Sequence, residues 1–428
     1  MTVDYLIVGA GVAGTTAAES IRARDPQGSI ALVGDEPHRL YSRVMLPMVV
    51  DGRIPAEKAY LKGEEWYAST KVEFLRGRRV SKLDGTAHRA TLDDGTVIEF
   101  GKALIATGGR PKRLDVPGHN LAGVHRLQTI EDAVGIRDEM SPHPTLSQFG
   151  RGESDIPPSL GGRQGGLRAV VIGGGFIALE FVNGFMHYNV PVTVCLRGKK
   201  FWEHRLDAIG AALLEKHLIG KGVRIIPEAA PLAFLGNDKV EGVKLSNGKT
   251  IPCTSVGVGI GLEPNFHFAE NILKTKRGIS ADEYLETSRA GIFAAGDISE
   301  FNDLIAGHAH VLGNWFNARE QGRAAGANMA GAHEPYKQVS SYSISALGMN
   351  VAFVGDVGSD GNELIARGDG VTSYASLMLR DGKLRGGVFL NRVADRAPIL
   401  ELIKTGKDIS GFKKELAGEN FDLKKLLA

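Results

Sequence analysis

Apolar residues in this chain gather in short runs, and several of these runs lead directly into glycine. The first is YLIVGAGVAG, residues Tyr5–Gly14, in which apolar positions are followed by Gly9, Gly11 and Gly14. This GxGxxG spacing is typical of a strand that turns directly into a helix whose N-terminus holds a pyrophosphate. The first glycine allows the tight turn, the second lets backbone approach phosphate, and the third lets helix and strand pack closely.

The residues that follow support a dinucleotide site rather than an ordinary glycine-rich turn. An Ala-rich helical stretch extends to Arg24, and a second apolar run, SIALVG, ends at Asp35 and Glu36. Asp35 comes 21 residues after Gly14. A carboxylate about 20 residues past the glycines is expected to bind a ribose hydroxyl.

The same pattern returns in the middle of the chain. RAVVIGGGFIALEF begins at Arg168 with a β-branched run, followed by Gly173, Gly175 and Ala178. A repeated strand–glycine–helix unit predicts two dinucleotide-binding domains in one chain. Two such units imply two dinucleotides, one of which can be held tightly while the other exchanges.

The second unit differs from the first after its second strand, VPVTVC. Leu196 occupies the position where an NAD site needs an acid, and Arg197 and Lys199 follow it. Cations in place of a carboxylate favour a 2′-phosphate, and therefore NADPH over NADH. The alternative is that these cations form a solvated turn.

Two other strand ends carry residues suited to a ligand. KALIA is followed by Thr107, Gly108 and Gly109, which allow close backbone approach at the open edge of a sheet. IFAA is followed by Gly296 and Asp297, whose carboxylate can accept a hydrogen bond from a ligand hydroxyl.

Length and composition complete the predicted architecture. A chain of 428 residues suggests about three domains. Residues 141–168 are rich in Pro, Gly and Ser, which predicts a flexible surface loop, with a lid or partner-binding loop as the alternative. Alternating segments from His333 onward predict a third, antiparallel domain with a helical tail.

Charge and cysteine content argue against binding to nucleic acid, membranes or metal ions. The net charge of +2 shows no electrostatic footprint for nucleic acid or an anionic membrane, and no apolar run approaches the ~18 residues of a spanning helix. Strand-forming residues begin at Val3, so we expect a cytoplasmic protein. The two cysteines form no CxxC, and His308 and His310 have no further ligands nearby in sequence, so we predict no metal site.

The motifs, taken in order, resemble the FAD-dependent pyridine nucleotide-disulfide oxidoreductase superfamily. They are GAGVAG, LYSR, ATGGRP, GGGFIALE, GIGLEPN and AAGD, and they cover nearly the whole chain except residues 141–168. The YSR-x-x-LP stretch is most similar to the branch that contains rubredoxin and ferredoxin reductases and the flavin part of NAD(P)H-nitrite reductases.

This resemblance implies an α/β fold with two Rossmann-like domains, the NAD(P)H domain being inserted in the FAD domain, and a C-terminal α+β interface domain. The implied limits are residues 1–116 and 263–332 for FAD, 117–262 for NAD(P)H, and 333–428 for the interface domain. The interface domain often forms a homodimer in this superfamily.

The resemblance also implies roles for single residues. Asp35 or Glu36 would hold the FAD ribose, Arg43 and Thr107 would lie along FAD, and Asp297 would bind its ribityl chain. Trp315 would lie by the flavin ring, and Glu180 would lie near the nicotinamide as the catalytic residue.

The chain departs from the disulfide reductases of this superfamily because residues 41–50 contain no cysteine beside the flavin. We therefore expect a reductase that passes electrons from NADPH or NADH through FAD alone to a separate acceptor, such as a rubredoxin, a ferredoxin or another redox partner. The alternatives are a flavoprotein component of a nitrite-reductase-type complex and a flavin-binding redox sensor with incidental NAD(P)H oxidase activity.

Overall fold

The structure is a computed structural model that describes residues 1–141, 166–270, 273–358 and 361–427. Residues 142–165, which make up most of the predicted flexible segment, lie outside this part of the chain. The flexibility of that segment therefore stays a prediction.

The first unit is built around parallel strands in the order β3-β2-β1-β6, with β5 and β4 continuing the sheet antiparallel. A hairpin turn joins β5 to β6, and Gly95 in this turn has a φ of +86°. Its elements are β1 (Thr2–Val8), α1 (Val12–Arg24), β2 (Ile30–Gly34), α2 (Leu46–Val50), α3 (Glu64–Ser69), β3 (Val72–Arg76), β4 (Val80–Asp84), β5 (Arg89–Leu92), β6 (Val97–Ile105) and β7 (Gly109–Pro111).

The second unit contains a fully parallel sheet in the order β11-β10-β9-β15-β8, with a separate antiparallel sheet, β12-β13-β14. Its last strand, β16, pairs antiparallel with β7, so the chain leaves and re-enters the first unit through one ribbon. The elements are β8 (Val124–His125), α4 (Ile130–Met140), β9 (Ala169–Ile172), α5 (Phe176–His187), β10 (Val192–Cys195), α6 (Ala208–Gly220), β11 (Arg224–Ile226), β12 (Pro231–Leu235), β13 (Gly242–Leu245), β14 (Thr250–Pro252), β15 (Ser255–Val258) and β16 (Leu262–Pro264).

The chain then returns to complete the first sheet. It forms β17 (Ile279–Ala281), β18 (Ile292–Ala294), β19 (Ser299–Asp303), β20 (His308–His310) and α7 (Trp315–Met329). Strand β18 pairs with β6, and α7 packs tightly on α1. A Cβ on Gly322 would lie 2.1 Å from the carbonyl oxygen of Ala13, so only glycine permits this helix contact.

The C-terminal part is one antiparallel sheet, in the order β21-β22-β25-β24-β23, with a helical tail. Its elements are β21 (Ser341–Ala346), β22 (Met349–Gly355), β23 (Glu363–Arg367), β24 (Tyr374–Arg380), β25 (Lys383–Leu390), α8 (Arg396–Thr405) and α9 (Lys413–Ala417). The predicted fold class is confirmed. Short 3-10 turns occur at Arg43–Met45, Ala56–Ala59, His267–Ala269, Val393–Asp395, Ser410–Phe412 and Leu423–Leu426.

One hydrophobic core joins the second unit to the C-terminal sheet. Phe176, the first residue of α5, has its ring centroid 5.0 Å from that of Trp202, 4.9 Å from Tyr342 and 5.1 Å from Phe353. Asn183 in α5 also donates to the carbonyl oxygen of Ser345 at 2.7 Å. Among the described helices, none is both long and apolar enough to cross a membrane.

Candidate functional site

The first glycine turn packs closely on one side and is open on the other. Gly9 has a φ of +115°, and a Cβ there would lie 2.2 Å from the carbonyl oxygen of Ala106. A Cβ on Gly14 would lie 1.9 Å from the carbonyl oxygen of Gly9, so this position keeps α1 close to β1. A Cβ added to Gly11 would have no atom within 4 Å, so open space lies beside the N-terminus of α1. A phosphate fits this space, where helix N–H groups can donate to it.

The second glycine turn has the same arrangement, except that Ala178 stands where the first turn has Gly14. Gly173 has a φ of +123°, its Cβ position lies 2.2 Å from the carbonyl oxygen of Gly259, and Gly175 again faces open space. Ala178 is fully buried, and a Cβ on Gly259 would lie 2.5 Å from its backbone nitrogen. The lack of a side chain at Gly259 therefore lets the end of β15 lie against the backbone of α5.

The two acids after β2 have different partners. Glu36 Oε1 accepts from Arg43 Nη2 at 2.5 Å, and its Oε2 accepts from the Tyr41 hydroxyl at 2.5 Å. Asp35 Oδ2 lies 3.5 Å from Arg110 Nη2, and its side chain is 47% exposed. The structure therefore brings Glu36 together with Arg43, while Asp35 lies nearer the solvent.

Arg43 is held by the short segment that follows β2. Besides Glu36, its guanidinium donates to the Tyr41 hydroxyl at 2.9 Å and to the carbonyl oxygen of Gln128. Gln128 in turn donates from Nε2 to the carbonyl oxygen of Gly109 at 2.6 Å. These contacts connect the loop after β2 to the strand end at Thr107–Gly109, two segments whose residues were predicted to line one cofactor.

The strand ends of β6 and β18 form the remaining wall of the first site. The Thr107 hydroxyl donates to the carbonyl oxygen of Asn265 at 2.9 Å, and Gly108 has a φ of +61° with open space at its Cβ position. Gly296 has a φ of +83°, and its N–H donates to Gln321 Oε1 at 2.8 Å.

Asp297 lies at this wall with its side chain only partly buried. Among the described residues no donor lies within hydrogen-bonding distance of its carboxylate, and a Cβ on Gly313 would lie 3.4 Å from Oδ2. Burial raises the pKa of Asp297 to about 6, and the positive charge of Arg43 offsets part of this rise. A partly buried carboxylate that accepts no hydrogen bond from the described residues is free to accept one from a ligand hydroxyl, and FAD carries hydroxyls on its ribityl chain. Trp315 begins α7 two residues after Gly313.

Glu180 lies where the second unit meets the loop after β2 and the C-terminal sheet. Burial raises its pKa to about 7, while a long contact from Asn183 Nδ2 at 3.5 Å and the charge of Arg53 lower it. The charge of Asp51 also acts on Glu180, and Asp51 Oδ2 is ion-paired with Arg53 Nη2 at 2.6 Å.

Sequence reasoning missed Asn183, Asp51 and Arg53. The only signal for Asn183 was its spacing of one helical turn from Glu180. Asp51 and Arg53 come near Glu180 only through the tertiary fold.

The cations after β10 are placed at the carboxyl edge of the second sheet. Leu196 is buried, whereas Arg197 and Lys199 are exposed and form no ion pair with any residue that the structure describes. Lys200 differs because its Nζ donates to the carbonyl oxygen of Leu206 at 2.6 Å. The first two cations are therefore available to an anionic ligand.

Neither cysteine belongs to the predicted flavin site. Cys195 and Cys253 are free thiols in the core of the second unit. Burial raises the pKa of Cys195 to about 11 and that of Cys253 to about 12, so neither is a thiolate at neutral pH. Across the described residues no group of His, Cys, Asp or Glu is arranged to hold a metal.

Known proteins share both the sequence and the fold. The profile of the pyridine nucleotide-disulphide oxidoreductase family matches residues 3–322. The biphenyl dioxygenase system ferredoxin--NAD(+) reductase component of Paraburkholderia xenovorans (strain LB400) is 29% identical over 97% of this chain and 96% of its own.

Two solved structures cover almost the whole chain. The ferredoxin reductase for the CYP199A2 system from Rhodopseudomonas palustris has a TM-score of 0.87 and 28% identity, with 100% of both chains covered. The putidaredoxin reductase of a covalent complex with putidaredoxin has a TM-score of 0.89 and 25% identity, with 99% of this chain and 98% of that chain covered. The protein is an FAD-dependent NAD(P)H oxidoreductase, and the chain belongs to the pyridine nucleotide-disulphide oxidoreductase family.

Proposed function

We propose that this protein oxidises NAD(P)H and delivers the electrons to a separate small electron-carrier protein, such as a ferredoxin or rubredoxin. FAD, when bound, supplies the redox chemistry by accepting a hydride from nicotinamide and releasing electrons to the acceptor. The observation that carries the proposal is the presence of two open glycine turns, of the carboxylate of Asp297 beside the first of them, and of no cysteine in residues 41–50. Relatives named as ferredoxin reductases support the choice of acceptor.

The chain's own residues bind and orient the two dinucleotides. In the first unit Gly9, Gly11 and Gly14 would hold the pyrophosphate, and Asp297 would accept from a ribityl hydroxyl. Asp35 or Glu36 would accept from the adenosine ribose. The larger set of proposed FAD contacts is completed by Arg43, Thr107, Gly108, Gly296 and Trp315.

In the second unit Gly173, Gly175 and Ala178 would hold the other pyrophosphate, and Arg197 and Lys199 would attract a 2′-phosphate. Glu180 would lie near the nicotinamide. Both NADPH and NADH are candidate donors, because the cations favour the phosphate while the relatives are named for NAD(+).

We propose the same domain limits that the sequence predicted. The ribbon formed by β7 and β16 supports an NAD(P)H domain, residues 117–262, inserted between residues 1–116 and 263–332. Residues 333–428 would form the interface domain.

The test is an anaerobic and aerobic assay of the purified, FAD-loaded protein with NADPH and NADH. Acceptors should include a ferredoxin, a rubredoxin and a simple dye, with the FAD-free apoprotein as the control. We expect rapid reduction of the dye and of at least one protein carrier. Slow oxidation of NAD(P)H with every carrier would instead favour the flavin-binding redox sensor. Activity that appears only when a nitrite-reducing partner is added would favour the nitrite-reductase-type component.

A further inference from the structure

The turn after β10 lacks an acid at the position where one is expected. Leu196 is only 2% exposed, and a Cβ on Gly174 would lie 2.8 Å from its Cδ2. Leu196 therefore packs beside the second glycine turn and offers no polar group to a ribose.

A carboxylate from farther along the chain returns to this turn. Oε2 of Glu203 lies 1.8 Å from the position that a Cβ on Gly198 would take, and its Oε1 accepts from the Lys199 N–H at 3.3 Å. The carboxylate thus occupies the space that a side chain at residue 198 would take. Glu203 is exposed, so its carboxylate stays accessible to a ligand.

Backbone hydrogen bonds fix this segment on both sides. The N–H of Trp202 donates to the carbonyl oxygen of Gly174 at 3.1 Å, which attaches the residue before Glu203 to the glycine turn. The N–H of Glu228, after β11, donates to the carbonyl oxygen of Gly198 at 3.0 Å. These bonds place residue 203 at the edge of β10, one strand away from the glycine turn after β9, and the Glu203 carboxylate lies against the backbone of this edge.

We infer that Glu203 supplies the ribose-binding carboxylate that is absent at residue 196, and that it thereby limits the preference for NADPH set by Arg197 and Lys199. Adjacent strands lie about 4.8 Å apart, and the adenosine ribose of a dinucleotide lies over the end of the second strand of such a unit. A carboxylate at this edge accepts from the 2′-hydroxyl of NADH but repels the 2′-phosphate of NADPH. The inference rests on the proposed NAD(P)H site in the second unit.

The experiment uses Glu203→Gln in the FAD-loaded full-length protein. Glutamine keeps an oxygen for the Lys199 N–H, so the turn is retained while the negative charge is removed. The measurements are the dissociation constants of ADP-ribose and 2′-phospho-ADP-ribose by calorimetry, together with kcat/KM for NADH and NADPH with a dye acceptor. The matched control is Glu228→Gln, which removes the same charge from the neighbouring strand end.

In Glu203→Gln we expect the affinity ratio of 2′-phospho-ADP-ribose to ADP-ribose to rise about tenfold, with the kcat/KM ratio following it. An unchanged ratio, or an equal shift in Glu228→Gln, would overturn the role of Glu203 while leaving the NAD(P)H site intact. Failure of the native protein to bind either fragment would overturn the proposed site itself, and with it this inference.

Discussion

Two carboxyl groups, Asp297 and Glu180, have pKa values raised by burial, yet their surroundings differ. Asp297, with a pKa of about 6, has no hydrogen-bond donor among the described residues. Glu180, with a pKa of about 7, has a long contact from Asn183 and lies within the field of Asp51 and Arg53. A ligand that binds the ionised form of such a group more tightly lowers its pKa. The affinity for that ligand therefore changes with pH near the pKa of the group.

Asp297→Asn should weaken FAD binding and remove its dependence on pH. A hydroxyl donates more strongly to a carboxylate than to a neutral acid or amide, so FAD binding favours the ionised form of Asp297. In the native apoprotein the affinity for FAD should rise as the pH increases through about 6 and fall as Asp297 is protonated. Loss of one charged hydrogen bond corresponds to roughly ten- to a hundredfold in Kd.

Quenching of FAD fluorescence by the apoprotein between pH 5 and 8 measures this effect. The melting temperature of the Asp297→Asn apoprotein serves as the control for folding. If FAD binding to Asp297→Asn kept the same pH dependence, the group that titrates on FAD binding would be a residue other than Asp297.

Glu180→Gln should remove a pH dependence from the reduction of the flavin by NAD(P)H. Nicotinamide gains positive charge as the hydride leaves, and an ionised carboxylate nearby stabilises that charge. The rate in native protein should therefore increase about tenfold as the pH rises through about 7, and Glu180→Gln should give a flat profile. Anaerobic stopped-flow absorbance at saturating NAD(P)H measures this rate.

Asn183→Ala provides a graded comparison for Glu180. The contact from Asn183 lowers the pKa of Glu180, so its removal should shift the midpoint of the profile to higher pH without abolishing it. A profile in Glu180→Gln that still has a midpoint near 7 would assign the titration to a different residue.

Arg197→Ala should lower kcat/KM for NADPH more than for NADH. One charge-assisted contact to phosphate is worth roughly 1.5 to 3 kcal/mol, or about ten- to a hundredfold in this ratio. Steady-state rates with both nucleotides test the prediction, and equal losses would show that Arg197 does not contact the phosphate.

At the scale of elements, two glycines in or beside helices serve different purposes: one leaves room for a ligand and the other allows two helices to pack closely. Gly11 lies at the start of α1 with open space at its Cβ position, whereas a Cβ on Gly322 in α7 would lie 2.1 Å from the Ala13 carbonyl oxygen. Gly11→Ala should therefore leave the melting temperature of the apoprotein nearly unchanged while weakening FAD binding at least tenfold, because the methyl group enters the phosphate space.

Gly322→Ala should show the opposite pattern. The forced separation of α1 and α7 should destabilise the apoprotein by about 1 to 3 kcal/mol, as overpacking does in other cores. Thermal melting and FAD titration of both variants test the pair. Equal effects of the two variants on stability would contradict the assignment of Gly11 to the ligand.

Much of the fold was predictable because its signals are local. The strand–glycine–helix turns after β1 and β9 depend on residues adjacent in sequence, and so does the hairpin turn at Gly95. The pairing of β18 with β6, and the core that joins Phe176 to Phe353, depend on distant segments and had no local signal.

The same distinction applies to the sites. Asp297 could be placed from its strand end, whereas the return of Glu203 to Gly198 depends on how residues 199–202 fold back. The absence of an acid at Leu196 was read correctly from the sequence. The position of the Glu203 carboxylate beside Gly198 could be found only from the three-dimensional structure.

At the scale of the whole molecule, the redox capacity should be that of one flavin. The two thiols, Cys195 and Cys253, are buried in the second unit, and burial raises both of their pKa values above 10. A thiol that exchanges electrons with a flavin must be ionised and exposed to it, and these thiols are neither.

Anaerobic titration with dithionite should therefore reduce the protein with one two-electron equivalent per FAD. No long-wavelength band from a thiolate–flavin charge-transfer complex should develop during the titration. The double variant Cys195→Ala with Cys253→Ala should consume the same number of electrons as the native protein. Uptake of a second electron pair by the native protein, and its loss in the double variant, would show that the thiols take part and that electrons reach the acceptor by a route other than the flavin alone.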